Sequence, residues 1–155
     1  MQKYIGIRVS PSKIFYTIST SKSYFNDVIV VPQFLSLPRQ LSYIRTVLQS
    51  VITEQDIKIA GLRLAENIAN AKKERVYIEG VIQEFFANSS IEDYEIFRLQ
   101  NLAKRNDIPL GVVQQWIAGK ESPEYVSNWG KFTKEHRESF LVVQALMKGD
   151  ETSEG

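Results

Sequence analysis

The sequence has no cysteine, one histidine and two methionines. Without thiols there is no disulfide, no cysteine nucleophile and no cysteine-ligated zinc. A lone histidine, His136, excludes a histidine-rich metal centre. Neither sign of charge is in excess: 19 Lys and Arg face 18 Asp and Glu, a formal net charge of +1. That balance excludes a histone-like polycation and a polyacidic mimic alike. Nowhere does the chain approach the roughly 18 uncharged apolar residues of a membrane-spanning helix. The start, Met1 to Arg8, carries Lys3 and Arg8 and lacks the apolar stretch of a leader peptide. A cytoplasmic protein without a membrane partner is expected. The eight glycines are scattered, and no phosphate-cradling loop, nucleophile elbow, Walker pattern or zinc spacing is found.

What is present is enough for one packed domain. A chain of 155 residues, 43% of them hydrophobic, has the length of a single domain. Area scaling at this size buries about 69% of the unfolded surface, so a core forms without staples. Residues 1–148 are expected to form that domain, with 149–155 as a flexible acidic tail.

The hydrophobic pattern changes period along the chain. Ile5, Ile7 and Val9 alternate with Gly6 and Arg8. After the turn signal Ser10-Pro11-Ser12-Lys13, Ile14, Tyr16 and Ile18 alternate in the same way. Val28-Ile29-Val30-Val31 is a third β-branched run, bounded by Asp27 and Pro32. Helical spacing then takes over at Leu41, Ile44, Val47, Leu48, Val51 and Ile52, with Ser36 and Pro38 near the helix start. The short run Ile57 to Leu62 predicts a strand that completes a crossover and pairs parallel to the first. A helix over 71–86 and a strand around Tyr94, Ile96 and Phe97 follow. Helices are expected near 98–106, near 110–118 closed by Gly119, and near 133–148. Three antiparallel strands, then two parallel ones alternating with helices, favour a mixed five-stranded α/β sheet covered on both faces over other α/β layered folds with a β-meander start.

That order resembles the ribonuclease-H-like architecture, and details narrow it to RuvC-type Holliday-junction resolvases. Gly6-Ile7-Arg8-Val9-Ser10 is similar to the Gly-Ile-Asp-Pro-Gly-like segment that opens their hairpin. Ala60-Gly61-Leu62-Arg63-Leu64-Ala65 resembles their fourth strand, which ends in an apolar residue followed by a catalytic Glu. Val112-Val113-Gln114-Gln115 with Gly119-Lys120 resembles a later helix and its turn. Glu135-His136-Arg137-Glu138 is similar to the start of the last helix, where two Asp residues three apart stand. The resemblance spans most of residues 3–148 and lies mainly in element order and spacing. It implies a possible homodimer and about four carboxylates holding two Mg²⁺ ions.

Two of those four carboxylate positions are occupied here by Arg8 and Arg63. Two anions replaced by two cations take the nominal site charge from about −4 to about 0, and a divalent ion about 4 Å from one guanidinium is opposed by roughly 8 kcal/mol at an effective dielectric of about 20. Glu135 and Glu138 keep the i, i+3 spacing of the other two. In a shifted register Glu66 supplies a further carboxylate, but the first strand offers no substitute. Arg8 and Arg63 admit three readings: an ion pair with Glu135 or Glu138, a solvated arginine, or a site for a phosphate or carboxylate. Glu135 and Glu138 also suit any helix start, with Thr133 as the N-cap. His136 is expected on another side of that helix, exposed.

Lys72, Lys73 and Arg75 open one helix and Lys104 and Arg105 lie on another, as candidate phosphate contacts or plain solvated faces. Trp116 has helical apolar neighbours and is expected in the core. Trp129, between Asn128 and Gly130, is the candidate exposed interaction aromatic. The expected function is a non-catalytic RuvC-like binding module for nucleic acid or protein, with no cofactor. One alternative is a nuclease using Mg²⁺ on an altered set of Glu66, Glu135 and Glu138. The other is a protein-only scaffold.

Overall fold

The structure, a computed structural model, describes residues 1–154, the side chains of Ile68 and of residues 151–154 excepted. Five strands form one sheet: β1 (Tyr4–Val9), β2 (Lys13–Ser19), β3 (Tyr24–Val30), β4 (Ile59–Arg63) and β5 (Asp93–Phe97). Their order is β3-β2-β1-β4-β5. β1 to β3 are antiparallel neighbours, while β4 pairs parallel to β1 and β5 parallel to β4. The alternation expected from the sequence is realised. Ile5, Ile7 and Val9 pack beneath α1 (Leu37–Gln55) and α2 (Lys73–Ala87), together with Ile44, Leu48, Ile78 and Ile82.

The opposite face carries α3 (Leu99–Arg105), α4 (Leu110–Ala118) and α5 (Lys134–Glu154), whose core includes Phe97, Leu102, Val113, Phe140 and Leu141. No helix among the described residues is long and apolar enough to cross a membrane.

Punctuation residues end the elements where their backbone preferences require it. Pro38 stands in the first turn of α1, where a missing N–H costs nothing. Gly119 ends α4 in the left-handed conformation at φ +79°, closing it as the sequence predicts. Thr133 caps α5, its Oγ1 accepting the His136 N–H at 3.1 Å.

Three boundaries differ from expectation. β3 begins at Tyr24 rather than near Val28. It is the edge strand, where pairing on one side suffices and Ile29 alone of its residues is fully buried. A one-turn 3-10 helix, Ile68–Asn70, precedes α2. The third difference is the end of the last helix: α5 does not stop near 148 but runs to Glu154. Asp150 on this last stretch accepts a 2.6 Å hydrogen bond from the Tyr4 hydroxyl, tying it to β1. Gly155 lies outside the described residues.

Candidate functional site

The parallel register of β1 and β4 places two pairs of identical residues side by side. Gly6 is opposite Gly61, and two residues on, Arg8 is opposite Arg63. Residues two apart on a strand share a face, so both pairs face α5. The glycines let the helix approach. A Cβ on Gly6 would strike the Ser139 carbonyl and come within 2.9 Å of the Val142 Cβ, and one on Gly61 would meet the Val142 Cγ1 at 2.6 Å. The start of α5 therefore lies over the two arginines at the C-terminal end of the strands.

There Glu138, 2% exposed, meets both guanidiniums. Its Oε2 lies 2.6 Å from Arg8 Nε and 3.4 Å from Arg63 Nε. Arg8 Nη1 also donates to the carbonyls of Arg63 and Leu64 at 3.1 and 2.9 Å, satisfying the end of β4. Arg63 Nη1 reaches the Leu64 carbonyl and stands 3.3 Å from Glu66 Oε1. Burial pulls the Arg8 guanidinium down to about 10; Glu138 opposes the shift, while Arg63 and Arg75 add to it. Arg8 therefore remains a cation at neutral pH.

A second acid enters from α2. Glu79 Oε2 accepts the Ala65 N–H at 3.0 Å and lies 3.4 Å from Arg75 Nε. Arg8, Arg63, Glu79 and Glu138 are the buried charged side chains among the described residues, and all four belong to this place. With Arg75 and Glu66 included, three guanidiniums balance three carboxylates. Among the described residues no group of three or more His, Cys, Asp or Glu could hold a metal ion. Glu138 and Glu66 are both engaged by guanidinium charge.

A pocket of about 340 Å³ opens beside the cluster, lined by Arg8, Arg63, Glu66 and Glu138 with Lys134, Gln114, Leu99, Ile117 and Ala118. Sequence reasoning missed Glu79, Lys134 and Gln114. Glu79 left one signal, an acid beside Ile78 in the apolar stripe of α2. Lys134 and Gln114 left none, since they meet only through folding.

The remaining candidates divide. Glu135 is half-buried, and among the described residues it forms no ion pair with the cluster. Lys72 and Lys73 are exposed at the start of α2, on the side of the Arg8 cluster, whereas Arg75 is turned inward to Glu79. Lys104 and Arg105 lie at the other end of the sheet, in a cleft lined also by Ile59, Asp93 and Glu95. Lys104 is exposed, but Arg105 is paired with Glu95 and is not a free phosphate contact.

His136 is half-buried rather than exposed, its Nε2 2.8 Å from the Asp27 carbonyl and its ring edge-on to Phe15. Trp129 also requires correction: it is 2% exposed. Its ring packs on Phe132 and Phe140, and its Nε1 donates to the Trp116 carbonyl at 2.8 Å. Polar Asn128 and side-chain-less Gly130 on either side disguised a core residue of the segment between α4 and α5. Trp116 is only partly buried against the same core.

No family model matches the chain, and no curated protein matches it. Solved structures do. Thermus thermophilus RuvC in complex with a Holliday junction substrate superposes with a TM-score of 0.66 at 9% identity, over 98% of this chain and 96% of that one. A second Thermus thermophilus RuvC structure gives 0.67 at 8% identity, over 98% and 97%. The yeast mitochondrial Holliday junction resolvase gives 0.54 at 12% identity, over 95% of this chain and 78% of the other. The mixed sheet with helices on both faces therefore has a ribonuclease-H-like fold. Its arrangement is similar to that of RuvC over nearly the whole chain.

Proposed function

We propose that this chain is a RuvC-like domain that binds nucleic acid and does not cut it with metal ions. The observation that carries this reading is the grip of Arg8 and Arg63 on Glu138. A two-metal centre needs several carboxylates free to face cations. Here the one carboxylate that α5 contributes is neutralised by side chains of β1 and β4. The residues present do not fit a pair of divalent ions.

Nucleic acid is favoured over a protein partner by two observations. The similar RuvC structure is a complex with a Holliday junction, and the exposed cations Lys72 and Lys73 flank the same end of the sheet. Phosphate contacts of that kind bind without reading sequence and weaken steeply with salt.

Fluorescence anisotropy on branched and linear DNA tests the reading, with EDTA, Mg²⁺ or Mn²⁺ present and across a salt series. Binding should be indifferent to metal, fall with salt and leave the DNA intact. Metal-dependent cleavage that Glu138→Gln abolishes would make the protein an active nuclease. Negligible binding at every salt concentration would leave the protein-only role.

A further inference from the structure

The pocket beside the cluster has a distinct electrostatic feature. Glu138 is shared by Arg8 and Arg63, and Glu66 is taken by Arg63 and by the Leu99 N–H. Among the described residues Lys134 then lines the pocket as a cation without an acidic partner. It stands in the first turn of α5, where a positive side chain is opposed by the helix dipole. Beside it, Arg63 lines the pocket with its Nε buried against Glu138 Oε2 at 3.4 Å, too poorly aligned for a hydrogen bond. Gln114 adds an exposed amide from α4. Leu99 and, on the same face of α4 as Gln114, Ile117 and Ala118 supply the apolar lining.

We propose that this pocket takes a phosphate monoester carried on a flat or apolar body, the chemistry of one nucleotide unit. The phosphate would lie between Lys134, Gln114 and the guanidinium of Arg63, and the attached ring against Leu99, Ile117 and Ala118. At about 340 Å³ the pocket is at the small end of ligand sites and has room for one nucleotide, not for a duplex. This assignment rests on the reading that guanidiniums, not metal ions, neutralise Glu138. Both a free nucleotide and the phosphorylated end of a strand offer the required chemistry.

Calorimetric titration in EDTA decides it, with a nucleoside monophosphate, its nucleoside, and a short single strand with or without a terminal phosphate. Saturable binding of a phosphorylated probe is expected, at least about tenfold tighter than its unphosphorylated counterpart. Lys134→Gln should remove about that factor, and this exposed position leaves the melting temperature in place. Tight binding of the monophosphate alone assigns the pocket to free nucleotides, and of the strand alone to strand ends; either supports the proposal. Equal affinity for phosphorylated and unphosphorylated probes, unchanged affinity in Lys134→Gln, or no saturable binding of any probe overturns it. Those results leave the broader reading standing if duplex or branched DNA still binds without metal, so the two failures are distinguishable.

Discussion

Glu138 shows how much one residue can hold in place. It is the anion shared by two buried guanidiniums, so removing its charge strands both. Breaking a buried pair by deleting one partner costs about 3–5 kcal/mol, whereas replacing the whole set by apolar groups can be neutral. Glu138→Gln is therefore expected to lose stability of that order in urea unfolding. Arg8→Met combined with Glu138→Leu should recover much of it. A double variant no more stable than the single one would mean that Arg8 and Glu138 are not energetically coupled. Tyr16 supplies a second test at this scale. Burial first, then the charge and hydrogen bond of Asp27, push its hydroxyl from 10.0 up to about 12. Between those values the unfolded phenol loses its proton while the folded one keeps it, so this group's contribution to stability is present below 10 and lost as pH rises towards 12. Arg8, lowered rather than raised, acts in the opposite sense in the alkaline range. Tyr16→Phe should flatten the alkaline loss of stability; an identical pH profile in the variant would rule Tyr16 out as its source.

The elements were legible where periodicity was strong and obscure where pairing or distant packing decided. Ile5, Ile7 and Val9 show the period of two of a strand, and Gly119 marks the end of α4. Tyr24 to Asp27 carry no such alternation, and they join β3 because β2 offers a free side. Gly149 reads as a helix end, yet α5 continues because Tyr4 holds Asp150 from the far end of β1. The approach of α5 to the sheet is the element-level fact with the sharpest consequence. Gly6→Ala would push a methyl group onto the Ser139 backbone, which cannot swing aside; Gly61→Ala meets mainly the ends of side chains. Overpacking of this kind costs about 1–3 kcal/mol, and the Gly6 variant should be the worse of the two by thermal or urea unfolding. Equal stability of the two variants would show that α5 shifts as a body.

Across the whole molecule, the two facing arginines were readable from the sequence because Gly6-Ile7-Arg8 and Gly61-Leu62-Arg63 sit at matching strand ends. Which acid they hold was not. Glu135 and Glu138 are equivalent in the sequence, and only the seating of α5 turns Glu138 alone into the cluster. The basic residues were also visible, but not their separation. Lys72 and Lys73 lie on the side of the Arg8 cluster, while Lys104 lies at the opposite end of the sheet with Asp93, Glu95 and Asp107 around it. A rigid DNA bound over the arginine end should not reach both. Removing one phosphate-binding cation reduces the slope of log affinity against log salt by about 0.9 for a duplex. Lys72→Ala with Lys73→Ala should thus flatten the slope by up to about 2 and weaken binding of all sequences alike. Lys104→Ala should leave slope and affinity as they are. If Lys104→Ala instead has the larger effect, DNA lies across the Asp93–Lys104 cleft, and the arginine-filled end of the sheet serves the stability of the fold alone.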